Sequence, residues 1–135
     1  MSKVMIFGTF DIFHEGHKNF LAQAKSHGNY LIAVISRDKT VKEIKKHIPL
    51  NNEISRMDIV KKSGLADEVI LGGISDKYSV IKKWHPNIIC LGYDQNHYIS
   101  EKLKNFLHAD KELAHIKIVR LAPHKPEIYK SSFLR

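Results

Sequence analysis

The sequence predicts an α/β protein, a Rossmann-like, doubly wound parallel sheet of five strands flanked by helices. Short apolar runs alternate with segments of helical periodicity, and the connections between them are short. The run Tyr30–Ile35 is apolar on both faces, as a central parallel strand covered on both sides should be. Residues 1–135 contain no internal repeat or linker, so we expect a single domain with its own core.

The predicted elements follow one another in the order expected of that fold. The strands are Lys3–Phe7, Tyr30–Ile35, Glu68–Leu71, Asn87–Leu91 and Ile116–Leu121. The helices are Glu15–His27, Asn52–Ser63, Asp76–Trp84 and Ile99–Leu113. Gly64 and His85-Pro86 lie where helix stops belong. Such folds bind ligands beyond the carboxyl ends of their strands, and the loop after the first strand is where they place their phosphate site.

Composition narrows the classes of partner. Lys and Arg number 22 against 14 Asp and Glu, a net charge of +8 that suits an anionic ligand. No basic stripe interleaved with aromatic residues is visible, so we expect no nucleic-acid partner. No apolar run reaches the roughly 18–20 residues of a membrane span, and Met1-Ser2-Lys3 does not begin a signal peptide. The single cysteine, Cys90, lies among apolar residues, which predicts a small buried side chain in a cytoplasmic protein.

The loop Gly8–His17 joins the first strand to the first helix. It contains neither the dinucleotide fingerprint G-x-G-x-x-G nor a P-loop, so it must handle phosphate by other means. His14 and His17 are three apart at the helix start and project on the same side of its first turn. Unpaired backbone N–H groups and the helix dipole favour an anion there, and two imidazoles add hydrogen-bond donors.

Other residues of this loop suit the same chemistry. Gly16 leaves room for a phosphate near the backbone, Thr9 offers a hydroxyl, and Asp11 could orient a donor or help to hold a metal. A zinc-protease motif needs histidines four apart and a third ligand, so a zinc site is not expected.

Gly8-Thr9-Phe10-Asp11 followed by His14-x-Gly16-His17 resembles the signature of the cytidylyltransferase family of nucleotidyltransferases. Members include glycerol-3-phosphate and phosphocholine cytidylyltransferases, pantetheine-phosphate adenylyltransferase and an archaeal type of FAD synthase. The resemblance covers nearly the whole chain. It implies an enzyme that transfers a nucleoside monophosphate from ATP or CTP to a phosphate monoester and releases pyrophosphate.

The resemblance also implies roles for the loop residues. His14 and His17 are expected to be catalytic, while nucleotide contacts are expected from Gly8, Thr9, Phe10, Asp11 and Gly16. Mg²⁺ or another divalent cation is expected with ATP or CTP, held mainly by the triphosphate, with Asp11 as a candidate ligand. Family members are commonly homodimers, so a homodimer is expected here.

The segment Lys42–Arg56 is polar and rich in lysine, and we expect a partly mobile loop. In related enzymes a lysine of this loop reaches the triphosphate and an arginine opening the next helix assists. The resemblance assigns these catalytic roles to Lys46 and Arg56, with Lys45 as the alternative to Lys46.

Two later segments bear on the substrate. Leu91–Gln95 follows the fourth strand, and Gly92, Asp94 and Gln95 are expected to contact the nucleotide. This segment resembles the archaeal FAD synthase branch and favours FMN as acceptor, with glycerol-3-phosphate or another phospho-alcohol and CTP as the alternative. Near the C-terminus, Ser131 and Ser132 fit the hydroxyl positions of the family's second motif and Lys130 adds charge, so the resemblance implies that these three residues contact the nucleotide. The arginine and glycine that usually precede are replaced, which leaves a catalytically silent nucleotide-binding module as a third reading.

Overall fold

The computed structural model describes residues 2–45, 49–74, 76, 78–92 and 97–122, without the side chains of residues 44, 45 and 97–99. The strands are Lys3–Gly8 (β1), Tyr30–Ile35 (β2), Glu68–Leu71 (β3), Ile88–Leu91 (β4) and Lys117–Arg120 (β5). The helices are Glu15–Lys25 (α1), Asp38–Lys45 (α2), Glu53–Ser63 (α3), Ser79–Trp84 (α4) and His97–His108 (α5). No described helix is both long and apolar enough to cross a membrane.

The five strands form one parallel sheet in the order β3-β2-β1-β4-β5. Lys3 lies opposite Tyr30 of β2, and Val4 lies opposite Ile88 of β4. The chain proceeds from β1 outward to β3, then returns to the other side of β1 for β4 and β5. The strand order therefore reverses between β1 and β4, and the crevice beyond their carboxyl ends is the expected ligand position. The predicted doubly wound α/β fold is confirmed.

Apolar residues cover both faces of the sheet. On one face, Leu21 of α1 and Val60 of α3 pack in a buried cluster with Val4 and Ile6. On the other face, helices α4 and α5 cover Met5, Ile32 and Ile89. Each large side chain buried in these layers contributes about 1.5–3 kcal/mol. The result is a rigid sheet whose carboxyl edge presents the connecting loops.

The structure corrects the prediction of a polar loop beginning at Lys42, because α2 continues from Asp38 to Lys45. Its sequence signal is weak, since Val41 and Ile44 are the only apolar residues in eight. Its start is stabilised by contacts with α3, which local periodicity does not reveal.

Among the helix boundaries, those at the start of α4 and the end of α5 differ most from the prediction. Helix α4 begins at Ser79 and not at Asp76, because Asp76 forms a turn in which its side chain accepts the Tyr78 N–H and its carbonyl accepts the Ser79 N–H. Helix α5 ends at His108, but Leu113 is still fully buried through the turns that follow.

Candidate active site

The two histidines cap the helix that follows the first strand. His14 is the N-cap of α1, and its Nδ1 accepts the backbone N–H of Gly16 at 3.0 Å. The Nδ1 of His17 accepts the backbone N–H of His14 at 3.4 Å. A neutral imidazole whose Nδ1 accepts carries its proton on Nε2. The helix start therefore gives both rings the same tautomer, with Nε2–H as the donor.

The two rings form a stack that favours the neutral state. The ring centroids of His14 and His17 are 4.0 Å apart, with 25° between the planes. Burial lowers the pKa of His14, an effect opposed in part by the charge of Glu15. Two imidazolium ions at this separation would also repel each other. The predicted projection of both histidines on one side of the first turn is confirmed, and the pair can donate hydrogen bonds without full positive charge.

Phe10 packs against the His17 ring of this stack. Its ring meets that of His17 edge-on, with centroids 5.2 Å apart, and the residue is 3% exposed. Phe10 has a φ of 53°, which costs a non-glycine residue about 1–3 kcal/mol and persists only where packing enforces it. A Cβ at Gly8 would lie 2.6 Å from the Phe10 ring, so only glycine leaves the ring in this position. A nucleotide contact by Phe10 stays a prediction, whereas its contact with His17 is observed.

Asp11 holds residues 50 and 51 against the loop through hydrogen bonds. Its side chain is nearly fully buried, and its two carboxylate oxygens accept the backbone N–H groups of Leu50 and Asn51, each at 2.9 Å. The Asn51 amide donates in return to the Asp11 carbonyl at 2.7 Å. Oxygens already engaged by N–H groups fit a metal ion poorly. Within the described ranges, no group of three or more His, Cys, Asp or Glu side chains is placed to hold one.

Arg56 is fully buried beside the same loop. Its Nη1 donates to the carbonyl of Thr9 at 2.9 Å, and its Nε donates to the carbonyl of Asn51 at 2.9 Å. Its Nη2 donates to Oδ1 of Asp38 at 2.6 Å. The guanidinium is thus directed at protein acceptors, and its contact with a triphosphate stays a prediction.

The sequence did not single out Asp38, Glu53 or Arg37, which complete this arrangement. Oδ2 of Asp38 accepts the Glu53 N–H at 3.2 Å, and Oε1 of Glu53 accepts the Asp38 N–H at 2.9 Å. The Nη1 of Arg37 donates a hydrogen bond to Oε2 of Glu53 at 3.0 Å. An acidic residue opening each helix is the sequence signal that could have found the pair.

The carboxyl end of β4 is tied to its neighbours by another residue that the sequence did not single out. Arg120, the last residue of β5, donates from Nη1 to the Gly92 carbonyl at 2.9 Å and from Nη2 to Oγ of Ser100 in α5 at 2.7 Å. The predicted site residues Lys46, Asp94, Gln95, Lys130, Ser131 and Ser132 lie outside the described residues, as does the side chain of Lys45.

The fold and the histidine loop are those of a nucleotidyltransferase, and comparison with known proteins agrees. The chain belongs to the cytidylyltransferase-like family, whose profile matches residues 5–134. An FAD synthase of Ferroglobus placidus is 43% identical over 107 residues, which cover 79% of this chain and 68% of that protein. An FAD synthase of Thermococcus sibiricus is 36% identical over 133 residues, which cover 96% of this chain and 83% of that protein.

A solved structure shows the same architecture. It is described as a lipopolysaccharide core biosynthesis protein from Thermoplasma volcanium and superimposes with a TM-score of 0.83 at 34% identity. The match covers 93% of this chain and 99% of that chain. Fold and family together make this protein an enzyme of the nucleotidyltransferase class.

Proposed function

We propose that the protein transfers AMP from ATP to FMN, forming FAD and releasing pyrophosphate. The observation that carries the transfer chemistry is the pair of neutral imidazoles fixed at the start of α1. The choice of FMN is supported by the relatives named FAD synthase, two of which match 79% and 96% of this chain.

The reaction is an in-line displacement. A phosphate oxygen of FMN attacks the α-phosphorus of ATP, and the bond to pyrophosphate breaks. The Nε2–H groups of His14 and His17 hydrogen-bond oxygens on which charge grows in the transition state. One such donor contributes on the order of 3 kcal/mol, about a hundredfold in rate. No covalent intermediate is needed, so positioning and charge stabilisation account for the catalysis.

Other parts of the site belong to the same proposal. Gly8, Thr9, Asp11 and Gly16 shape the loop around the α-phosphate, and Gly92 with Asp94 and Gln95 borders the nucleoside. A lysine, Lys46 or Lys45, neutralises the triphosphate together with Lys130, Ser131 and Ser132. A divalent cation would be held mainly by the triphosphate, where it would supply charge neutralisation for the leaving pyrophosphate. Homodimeric assembly and a cytoplasmic location are part of this proposal.

The test is a substrate panel. Purified protein is incubated with Mg²⁺, ATP or CTP, and FMN, glycerol 3-phosphate or phosphocholine, and pyrophosphate and nucleotide products are measured. We expect FAD from ATP and FMN and no product from the other pairs. Turnover with CTP and glycerol 3-phosphate would transfer the assignment to a cytidylyltransferase. No turnover with any pair, accompanied by ATP binding, would identify a silent nucleotide-binding module.

A further inference from the structure

Helices α2 and α3 cap each other's first turns through four residues, here named the cross-capping cluster: Arg37, Asp38, Glu53 and Arg56. Asp38 opens α2 and Glu53 opens α3, and each carboxylate accepts the backbone N–H of the other residue. Such carboxylates complement the exposed N–H groups and the dipole of a helix start. The two helix starts are therefore fixed relative to each other.

The cluster is also anchored to the sheet. The Nε of Arg37 donates to the carbonyl of Gly72, just beyond β3, at 2.8 Å. Arg37 directly follows Ser36, whose N–H donates to the Gly8 carbonyl at the end of β1 at 2.9 Å. The cross-capping cluster thus lies at the carboxyl ends of β1, β2 and β3, on the edge of the sheet that carries the histidine loop.

From this anchor, Arg56 reaches into the histidine loop itself. Its bond to the Thr9 carbonyl holds the peptide unit that directly precedes Phe10. That residue is the one with φ at 53°, and its ring packs against His17. A strained backbone conformation persists only where its surroundings over-determine it, and the buried guanidinium is one such constraint. A continuous set of contacts therefore runs from Asp38 through Arg56 and Phe10 to His17.

We propose that Asp38 and Arg56 are positioning residues that set the placement of the His14–His17 pair through the Thr9–Phe10 peptide. Arg56 is fully buried and donates to three protein acceptors, which favours an action through the loop over the direct triphosphate contact that the resemblance implies. Asp38 orients the guanidinium by a bond of 2.6 Å. The effect on turnover rests on the proposed function, but the placement of the imidazoles does not.

The experiment compares Asp38→Asn with a matched control, Asp67→Asn. Both carboxylates accept a backbone N–H and pair with a cation, and their side chains are 40% and 32% exposed. Asp67 lies at the opposite, amino-terminal edge of the sheet, where it pairs with Lys25. In Asp38→Asn the chain loses either the acceptor for Arg56 or the cap of α3. In Asp67→Asn the histidine loop keeps all of its contacts.

Two readouts are measured: steady-state kinetics and the ¹H–¹⁵N signals of the imidazole rings without substrate. We expect Asp38→Asn to lower kcat about 10–100-fold, as small misplacements of catalytic groups do, while the KM for ATP changes less than about threefold. The ring signals of His14 and His17 should shift in Asp38→Asn and not in Asp67→Asn. Arg56→Lys should behave like Asp38→Asn, because one ammonium group cannot span three acceptors.

Unshifted ring signals in folded Asp38→Asn would overturn the proposal, as would a kcat within twofold of that of Asp67→Asn. A normal kcat in Asp38→Asn with a raised KM for ATP in Arg56→Lys would overturn it in favour of a direct triphosphate contact. If Asp38→Asn does not fold, Arg56→Lys, which keeps the positive charge but cannot reach all three acceptors, is read against the same two criteria. If the wild-type protein fails to adenylylate FMN, the ring signals still decide the placement of the imidazoles.

Discussion

At the first turn of α1, imidazole side chains accept hydrogen bonds from backbone N–H groups that could otherwise donate to a ligand. The N–H groups of His14 and Gly16 are directed at imidazole Nδ1 atoms. Each ring is thereby fixed in its Nε2–H tautomer, and the donor is carried several ångströms beyond the backbone. The polarity of the helix start is therefore extended through the rings towards the α-phosphate of the proposed substrate.

Replacing His17 tests this arrangement. We expect His17→Ala to lose about a hundredfold in kcat, the usual cost of removing one transition-state donor. The control is His27→Ala, which removes an exposed histidine near the other end of the same helix. Circular dichroism and thermal unfolding should show both variants folded. Turnover of His17→Ala within a few-fold of that of His27→Ala would contradict the assignment.

The lowered pKa of His14 makes stability depend on pH. Burial lowers the pKa of this imidazole in the folded chain below its ordinary value of about 6.5. As the pH falls through about 6.5, the unfolded chain binds a proton first, so the free energy of unfolding decreases until the folded pKa is also passed. Urea unfolding between pH 5 and pH 7.5 measures this loss, which His14→Gln should reduce. An unchanged pH dependence in His14→Gln, with His27→Gln as reference, would show that another group is responsible.

At the scale of elements, the β1–α1 connection depends on close packing over Gly8. A Cβ at Gly8 would lie 2.6 Å from Cε2 of Phe10, and the ring would have to leave its place against His17. We therefore expect Gly8→Ala to destabilise the fold by about 1–3 kcal/mol, as overpacking does, and to lower kcat as well. Chemical unfolding and the substrate assay measure the two effects.

Gly72→Ala is the matched control for that substitution. Gly72 likewise lies at the carboxyl end of a strand, directly after β3, but a Cβ there would meet Val34 at an ordinary 3.5 Å. Its stability and turnover should stay close to those of the wild type. Equal losses in the two variants would mean that the packing of Phe10 on Gly8 does not position the histidines.

The same elements show what local sequence patterns can predict. All five strands were predictable because each contains a short run of adjacent apolar residues, which is longest in Tyr30–Ile35. The histidine pair was predictable because its members are three apart on one helix. Helix α2 was not, since the hydrogen bonds of Asp38 at its start join it to Glu53 and Arg56 of α3, fifteen and eighteen residues away in sequence. The burial of Arg56 against Thr9 is longer in range still, and no local period encodes it.

At the scale of the whole molecule, the strand order explains why distant segments share one edge. The chain leaves β1 in one direction and returns on its other side, so the loops after β1 and β4 border the same crevice. The contacts of Asp11 and Arg56 bring residues 50 and 51 to that edge. Ligand binding at this crevice should therefore stabilise the sheet as a unit.

The reactivity of Cys90, the single cysteine, can report on the opening of the sheet. It lies fully buried in β4, with Ile6 of β1 on one side and Val119 of β5 on the other. Burial raises the pKa of its thiol to about 11, so the native residue is protonated and shielded at pH 8. Alkylation then requires the central sheet to open, and its rate follows the population of opened molecules.

ATP should slow the alkylation of Cys90 even without an acceptor. Binding to the folded state alone adds RT ln(1 + [L]/Kd) to its stability, about 2.7 kcal/mol when the free ATP concentration is about 100 times Kd. We therefore expect labelling to slow about a hundredfold at that ATP concentration. Mass spectrometry of the modified chain measures the labelling rate. Sodium chloride at equal ionic strength controls for screening, and labelling in urea gives the rate of the open chain. Two results would contradict this prediction: rapid labelling without urea, and a labelling rate that does not change although ATP is shown to bind. Either would mean that a local motion independent of the nucleotide site exposes Cys90.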